Sequence, residues 1–146
     1  MTEHPGITLH GTGLDGVTWN ILGQTYHPKA STPDCFAFEA YAPPGTFVPP
    51  HIHPTQDEYI LMLEGVWKVI LDGQTHFAKA GDLVRLPRGI MHGYFNESDA
   101  PGRAFFWVSP ARRLNDLFAA LHNVPDPAEV VRLAALHEVE FLPPPG

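Results

Sequence analysis

A chain of 146 residues, 44% hydrophobic and 17% charged, has the length of one domain and enough apolar material to bury a core, which excludes an intrinsically disordered protein. With 13 glycines and 16 prolines it carries too much punctuation for a helical bundle and suits short strands joined by tight turns. A net charge of −7 with only nine lysines and arginines argues against sequence-independent binding to nucleic acid, and the one cysteine, Cys35, permits no intrachain disulfide.

The opening residues Met1 to Pro5 lack the basic and apolar regions of a secretory signal, and no stretch approaches the length of a membrane span. A soluble, cytoplasmic protein with no membrane partner is expected. From Val17 to Val108 short runs of Val, Ile, Phe, Tyr and Trp are cut by Gly and Pro at intervals of about ten residues, the cadence of an all-β sandwich or small barrel. Strands are predicted at Val17 to Ile21, Cys35 to Ala42, Glu58 to Glu64, Trp67 to Leu71, Gln74 to Ala78, Asp82 to Leu86, His92 to Asn96 and Arg103 to Val108. Asp72-Gly73 supplies the two positive-φ positions of a type I′ hairpin turn.

After Val108 the period changes to 3.6. Ser109 is placed to cap a helix starting at Pro110, whose apolar stripe is Leu114, Leu117, Phe118 and Leu121. Asp126-Pro127-Ala128-Glu129 has the spacing of a capping box for a second helix carrying Val130, Leu133 and Ala134 on one face. Both stripes are read as structural, docking on the barrel wall or a partner. Val139 to Leu142 is predicted as a short edge strand, ended by Pro143-Pro144-Pro145-Gly146. The whole reads as a single domain over 1–146, with a barrel over about 17–108 and a helical extension over about 109–146.

Chemistry concentrates in one stretch. Pro49, Pro50 and Pro54 force the segment around His51 and His53 to be extended, and in an extended chain positions i and i+2 point the same way. Glu58 opens the next strand and His92 opens a later one, so three imidazoles and a carboxylate form a ligand set for one divalent transition metal. The remaining histidines, His4, His10, His27, His76, His122 and His137, have no spaced partner and are read as ordinary surface or core residues; His76 is the one whose strand lies close enough to face the cavity. Parity puts Glu58, Ile60 and Met62 on one strand face. Phe36, Phe38, Phe47, Met62, Tyr94, Phe105 and Trp107 are the expected apolar wall of a substrate pocket.

These residues resemble the two motifs of the cupins. Gly45, His51, His53, Glu58 and Gly65 fit the first at every spacing, and Gly81, Pro87, Gly89, His92 and Asn96 fit the second. The resemblance implies a double-stranded β-helix, a jelly-roll barrel with the metal inside, and a commonly dimeric molecule. Asn96 is read as tying a strand end rather than touching substrate. The Pro-x-Gln-Asp-Glu-Tyr wording after His53, with the Val-Glu-Phe-Leu-Pro-Pro ending, looks like bacterial single-domain cupins related to quercetin 2,3-dioxygenase. That likeness implies a dioxygenase with Glu58 both a ligand and the acceptor of a substrate proton; the ligand set itself leaves the metal open among Fe, Mn, Ni, Cu, Co and Zn. The alternatives are a non-oxidative isomerase, cyclase or lyase at the same site, and a small-molecule-binding protein without turnover.

Overall fold

Alternation of apolar and polar side chains builds strands in this chain, and the strands layer because each apolar face needs cover. The structure, a computed structural model, describes residues 4–142. Its strands are Trp19–Ile21 (β1), Gln24–Ser31 (β2), Phe36–Ala42 (β3), Phe47–Ile52 (β4), Asp57–Glu64 (β5), Val66–Leu71 (β6), Gln74–Lys79 (β7), Leu83–Leu86 (β8), His92–Phe95 (β9), Gly102–Ser109 (β10) and Glu140–Phe141 (β11); its α-helices are Leu114–Leu121 (α1) and Pro127–Leu136 (α2). A six-stranded antiparallel sheet in the order β1-β2-β3-β10-β5-β8 and a five-stranded antiparallel sheet in the order β11-β4-β9-β6-β7 make the expected jelly roll.

The inner faces supply the core. On β5 Glu58, Ile60 and Met62 are buried, and on β10 Ala104, Phe106 and Val108. Phe38 and Phe106 stack with ring centroids 4.8 Å apart, and Phe118 of α1 meets Phe38 edge-on at 4.9 Å, so the first helix belongs to the same core as the barrel. Each such aromatic pair adds about 0.5–1.5 kcal/mol beyond simple burial. The β6–β7 hairpin turns at Asp72 and Gly73 with φ of 50° and 84°, as a type I′ turn demands. Asn96 does tie its strand end: the amide donates to the carbonyls of Ala42 and Ala100, both at 2.9 Å.

Three expectations need correction. β2 was not among the predicted strands, because Pro28 interrupts its pattern; the structure accommodates that proline at a register shift where the short β1 no longer pairs with β2. Ser109 does not cap a helix. It stays in β10 opposite Asp57, its hydroxyl donates to the Asp34 carbonyl at 2.9 Å, and α1 begins at Leu114. The capping box is half formed: the Asp126 carboxylate accepts from the Ala128 N–H at 3.0 Å, while Glu129 pairs with Arg132.

β11 pairs with β4 as the predicted edge strand, and residues 143–146, assigned above to its termination, lie outside the described residues. His76 on β7 is exposed and away from the cavity. No helix among the described residues is long and apolar enough to cross a membrane.

Candidate metal centre

The site is built by a bulge. On β4 Val48 faces Tyr94 of β9 and His51 faces His92, so three steps on one strand oppose two on the other. The extra residue falls at Pro49-Pro50, neither of which has an N–H to lose from the ladder. The bulge reverses the parity upstream of it: Val48, His51 and His53 are buried together, and Phe47 is turned outward.

Gly93 sits opposite. A Cβ there would lie 2.9 Å from the Pro50 nitrogen and 3.1 Å from the Val48 carbonyl oxygen, backbone atoms that cannot swing aside. Gly93→Ala is therefore expected to cost about 1–3 kcal/mol in a denaturant titration, since it forces β9 away from the bulge that aims His51. His53 is held to the second ligand segment by the Gly89 N–H, which donates to its carbonyl at 2.9 Å.

His51, His53, Glu58 and His92 are all buried, and one ligand atom from each lies within 4.8 Å of all the others. Each imidazole has a carbonyl-type acceptor on Nδ1: the Pro49 backbone at 2.8 Å for His51, the Gln56 side-chain oxygen at 2.9 Å for His53, and the Ile90 backbone at 3.1 Å for His92. A carbonyl only accepts, so Nδ1 donates in all three rings, which leaves Nε2 of each as the atom to ligate an ion. Glu58 Oε2 lies 2.7 Å from His92 Nε2 and 3.8 Å from His53 Nε2. Glu58 Oε2 and His92 Nε2 are both buried without a well-formed hydrogen bond, an arrangement that an ion shared by the two atoms would satisfy. The donor set fits a divalent transition metal.

Electrostatics point the same way. Burial, reinforced by the His92 and His53 rings, pushes the His51 pKa well below its ordinary value, and burial likewise lowers His53, so both rings are neutral and free to ligate. Burial opposes ionisation of Glu58, but His53 and His92 together outweigh it and hold the carboxyl below the usual glutamate value.

Gln56 is the functional residue that the sequence reading missed. Its amide nitrogen donates to the Pro110 and Ala111 carbonyls at 3.1 and 2.7 Å, which fixes the amide so that its oxygen must receive the His53 Nδ1–H. The signal was a buried glutamine three residues beyond a ligand histidine, uninformative until the fold brings residue 110 alongside. Gln56→Leu is expected to weaken zinc or cobalt binding by about 10–100-fold in a chelator competition titration, because the ring loses the group that orients it.

Residues 38–109 match the family model described as Cupin domain. The chain belongs to the cupin superfamily. Polyketide synthase CurC of Streptomyces cyaneus is 33% identical over 67 residues, 46% of this chain and 44% of that protein. The tetracenomycin polyketide synthase protein TcmJ of Streptomyces glaucescens is 30% identical over 86 residues, 58% of each chain. The matched part is thus about half of those relatives' length. Among solved structures, an RmlC-like cupin from Shewanella frigidimarina superposes with a TM-score of 0.68 over 77% of this chain and 96% of that one, at 20% identity, which establishes the fold alone.

In this cupin the ligand set opens onto a narrow apolar cavity of about 40 Å³. The barrel contributes Ile21, Leu22, Tyr26, Val48 and Tyr94; α1 contributes Leu114, Leu117, Phe118 and Leu121; Val139 and Phe141 come from the tail, with Phe141 packed 5.3 Å from the His51 ring. The helical stripe read as structural is therefore also the wall above the ligands.

The expected pocket residues fall differently. Tyr94 lines the cavity. Phe36, Phe38 and Met62 are buried in the core behind it and do not reach its surface. Phe47 is 48% exposed and stacks on Phe95, the consequence of the bulge. Phe105 and Trp107 lie on the outer face of the six-stranded sheet, because their register partners Leu61 and Tyr59 alternate with the inward Ile60. Phe106 is the inward residue.

Proposed function

We propose that this cupin is a metal-dependent enzyme, a dioxygenase acting on a small aromatic or enolisable molecule. The observation that carries the reading is the convergence of three outward-anchored imidazoles and one carboxylate at the floor of an apolar cavity. His51, His53 and His92 would hold the ion through Nε2 and Glu58 through a carboxylate oxygen. A bound metal of this class supplies Lewis acidity and, where it is redox-active, a partner for dioxygen.

The chain's own residues supply the rest. The aliphatic and aromatic wall excludes water and favours a ring. Glu58 Oε2 is the only anionic acceptor on the cavity wall among the described residues, which makes it the group to take a proton from an enolisable carbon or phenol. No lysine or arginine lines the cavity among the described residues, which disfavours phosphorylated substrates.

The test is oxygen uptake by the iron-, manganese-, nickel-, copper- and cobalt-loaded protein against a panel of flavonols and catechols. Uptake with one of them supports the reading, and Glu58→Gln is expected to reduce that turnover by about 100-fold or more. A second reading, a non-oxidative cyclase, isomerase or lyase, is favoured by the likeness to two proteins named for polyketide synthases. It predicts turnover without oxygen and with zinc, which has no redox chemistry. Ligand binding in the cavity with turnover under neither condition would identify a binding protein. The reading also includes a cytoplasmic homodimer, for which the exposed Val131 and Leu136 of α2 supply apolar surface and light scattering the test.

A further inference from the structure

The outer face of the six-stranded sheet is apolar at its centre. Residues that alternate with the buried Ile60, Val84 and Phe106 point away from the core: Tyr59, Leu61 and Leu63 on β5, Leu83 on β8, and Phe105 and Trp107 on β10. Register makes them neighbours. Phe105 is opposite Leu61 and Leu61 is opposite Leu83, while Trp107 is opposite Tyr59 and stacks on it with ring centroids 5.4 Å apart. An antiparallel sheet with one face on the core ordinarily turns polar side chains to water on the other. Here all six apolar residues keep some exposure, Leu83 as much as 46%. The outer face of the five-stranded sheet differs: it offers one row, Phe47, Phe95 and Phe77, split by Lys68.

The rim of the six-residue patch is charged and balanced. At one end Arg103 pairs with Glu39 at 3.0 Å and Glu64 at 3.6 Å, at the other Arg88 pairs with Asp57 at 3.2 Å, and Arg85, opposite Tyr59, forms no ion pair among the described residues. Three cations and three anions leave this face neutral on a chain of net charge −7. A partner recognised by charge finds nothing to neutralise there, whereas two like-charged copies approach at least cost through neutral faces. Four strands about 4.8 Å apart, crossed with the eight residues of β10 at about 3.3 Å each, give a flat area of roughly 500 Å². Side-chain relief raises the accessible area toward the roughly 800 Å² that each partner of a stable interface contributes. We propose that a second copy of this chain packs on this face about a two-fold axis, with Tyr59, Phe105 and Trp107 as the central anchors and the arginines as the rim. The proposal deepens the homodimer reading and places the contact on the sheet instead of α2. It is independent of the chemistry at the metal centre.

The test is sedimentation equilibrium of the full chain, read together with acrylamide quenching of tryptophan fluorescence. The wild type is expected to sediment at twice 16.1 kDa and to dissociate on dilution. Trp19 and Trp67 are 5% and 1% exposed, so quenching reports Trp107, the remaining tryptophan, and is expected to fall as the dimer forms. Leu83→Glu and Arg85→Glu alter exposed side chains and each make the face anionic. Each is expected to weaken association by about 30-fold or more, with the melting temperature of the dilute monomer unchanged. Leu136→Ser on α2 and Phe77→Ser on the other sheet, at positions 56% and 70% exposed, are expected to leave association as it was.

A dimer that Leu83→Glu and Arg85→Glu leave intact, or whose formation leaves Trp107 as open to quenching as before, would overturn the proposal. A dimer broken by Leu136→Ser or Phe77→Ser instead would overturn it too, while the homodimer reading stood. A wild type that stays at 16.1 kDa at all concentrations would remove both. None of these results bears on oxygen uptake, so the dioxygenase reading stands or falls separately.

Discussion

His92→Ala is expected to reduce the metal retained after dialysis from about one ion per chain to less than about a tenth of that. The variant removes the nitrogen 2.7 Å from Glu58 Oε2 and leaves a carboxylate that is 2% exposed with one weaker neighbour, His53 at 3.8 Å. A buried charge stripped of its partner is expensive, so the metal-free variant should also lose about 3 kcal/mol of folding stability in urea. His76→Ala, on the exposed face of β7, should change neither quantity. Metal retention by the His92 variant at the wild-type level would mean that the four side chains do not act as one site.

Acid is expected to unfold the metal-free protein early. His51 and His53 have folded pKa values below the ordinary 6.5 because burial disfavours their charged forms. As the pH drops below about 6.5 the unfolded chain takes up protons that the native state refuses, so stability falls with falling pH until the folded values are reached. Glu58 adds to the loss lower down: its folded pKa is depressed, so the stability it contributes is present above the ordinary 4.5 and disappears as pH falls through the folded value. Each histidine is worth up to about 1.4 kcal/mol per pH unit. Thermal melts of chelator-treated protein should therefore drop by roughly 5 °C between about pH 7 and pH 6, and His51→Gln should flatten the slope. A melting temperature independent of pH over that interval would contradict the buried, neutral histidines.

The ligand set was legible because its geometry is written in short-range grammar. Prolines enforce extension, extension puts i and i+2 on one face, and His51 and His53 are buried together as that rule requires. The Asp72-Gly73 turn and the Asp126 cap were readable for the same reason: each is decided within four residues.

What failed depended on partners far along the chain. Phe47 was counted in the pocket wall as an aromatic residue near the ligands, and only pairing with β9 reveals the extra residue at Pro49-Pro50 that turns it out. Phe105 and Trp107 were chosen for their aromatic character, whereas the register that selects Phe106 is set by β5, more than 40 residues earlier. Gln56 and the α1 wall of the cavity share this origin: residues 110 and 111 fix the glutamine, and α1 closes over ligands from β4 and β5 only once the barrel exists. β2 was lost to the single proline that edge pairing tolerates.

The most direct test of the centre is X-ray absorption spectroscopy on the protein loaded with cobalt or zinc. The account predicts about one ion per chain with a first shell of nitrogen and oxygen near 2.0–2.2 Å and the outer-shell scattering of about three imidazoles, reduced to about two in His92→Ala. A first shell without imidazole, or an imidazole count unaltered by that substitution, would contradict it.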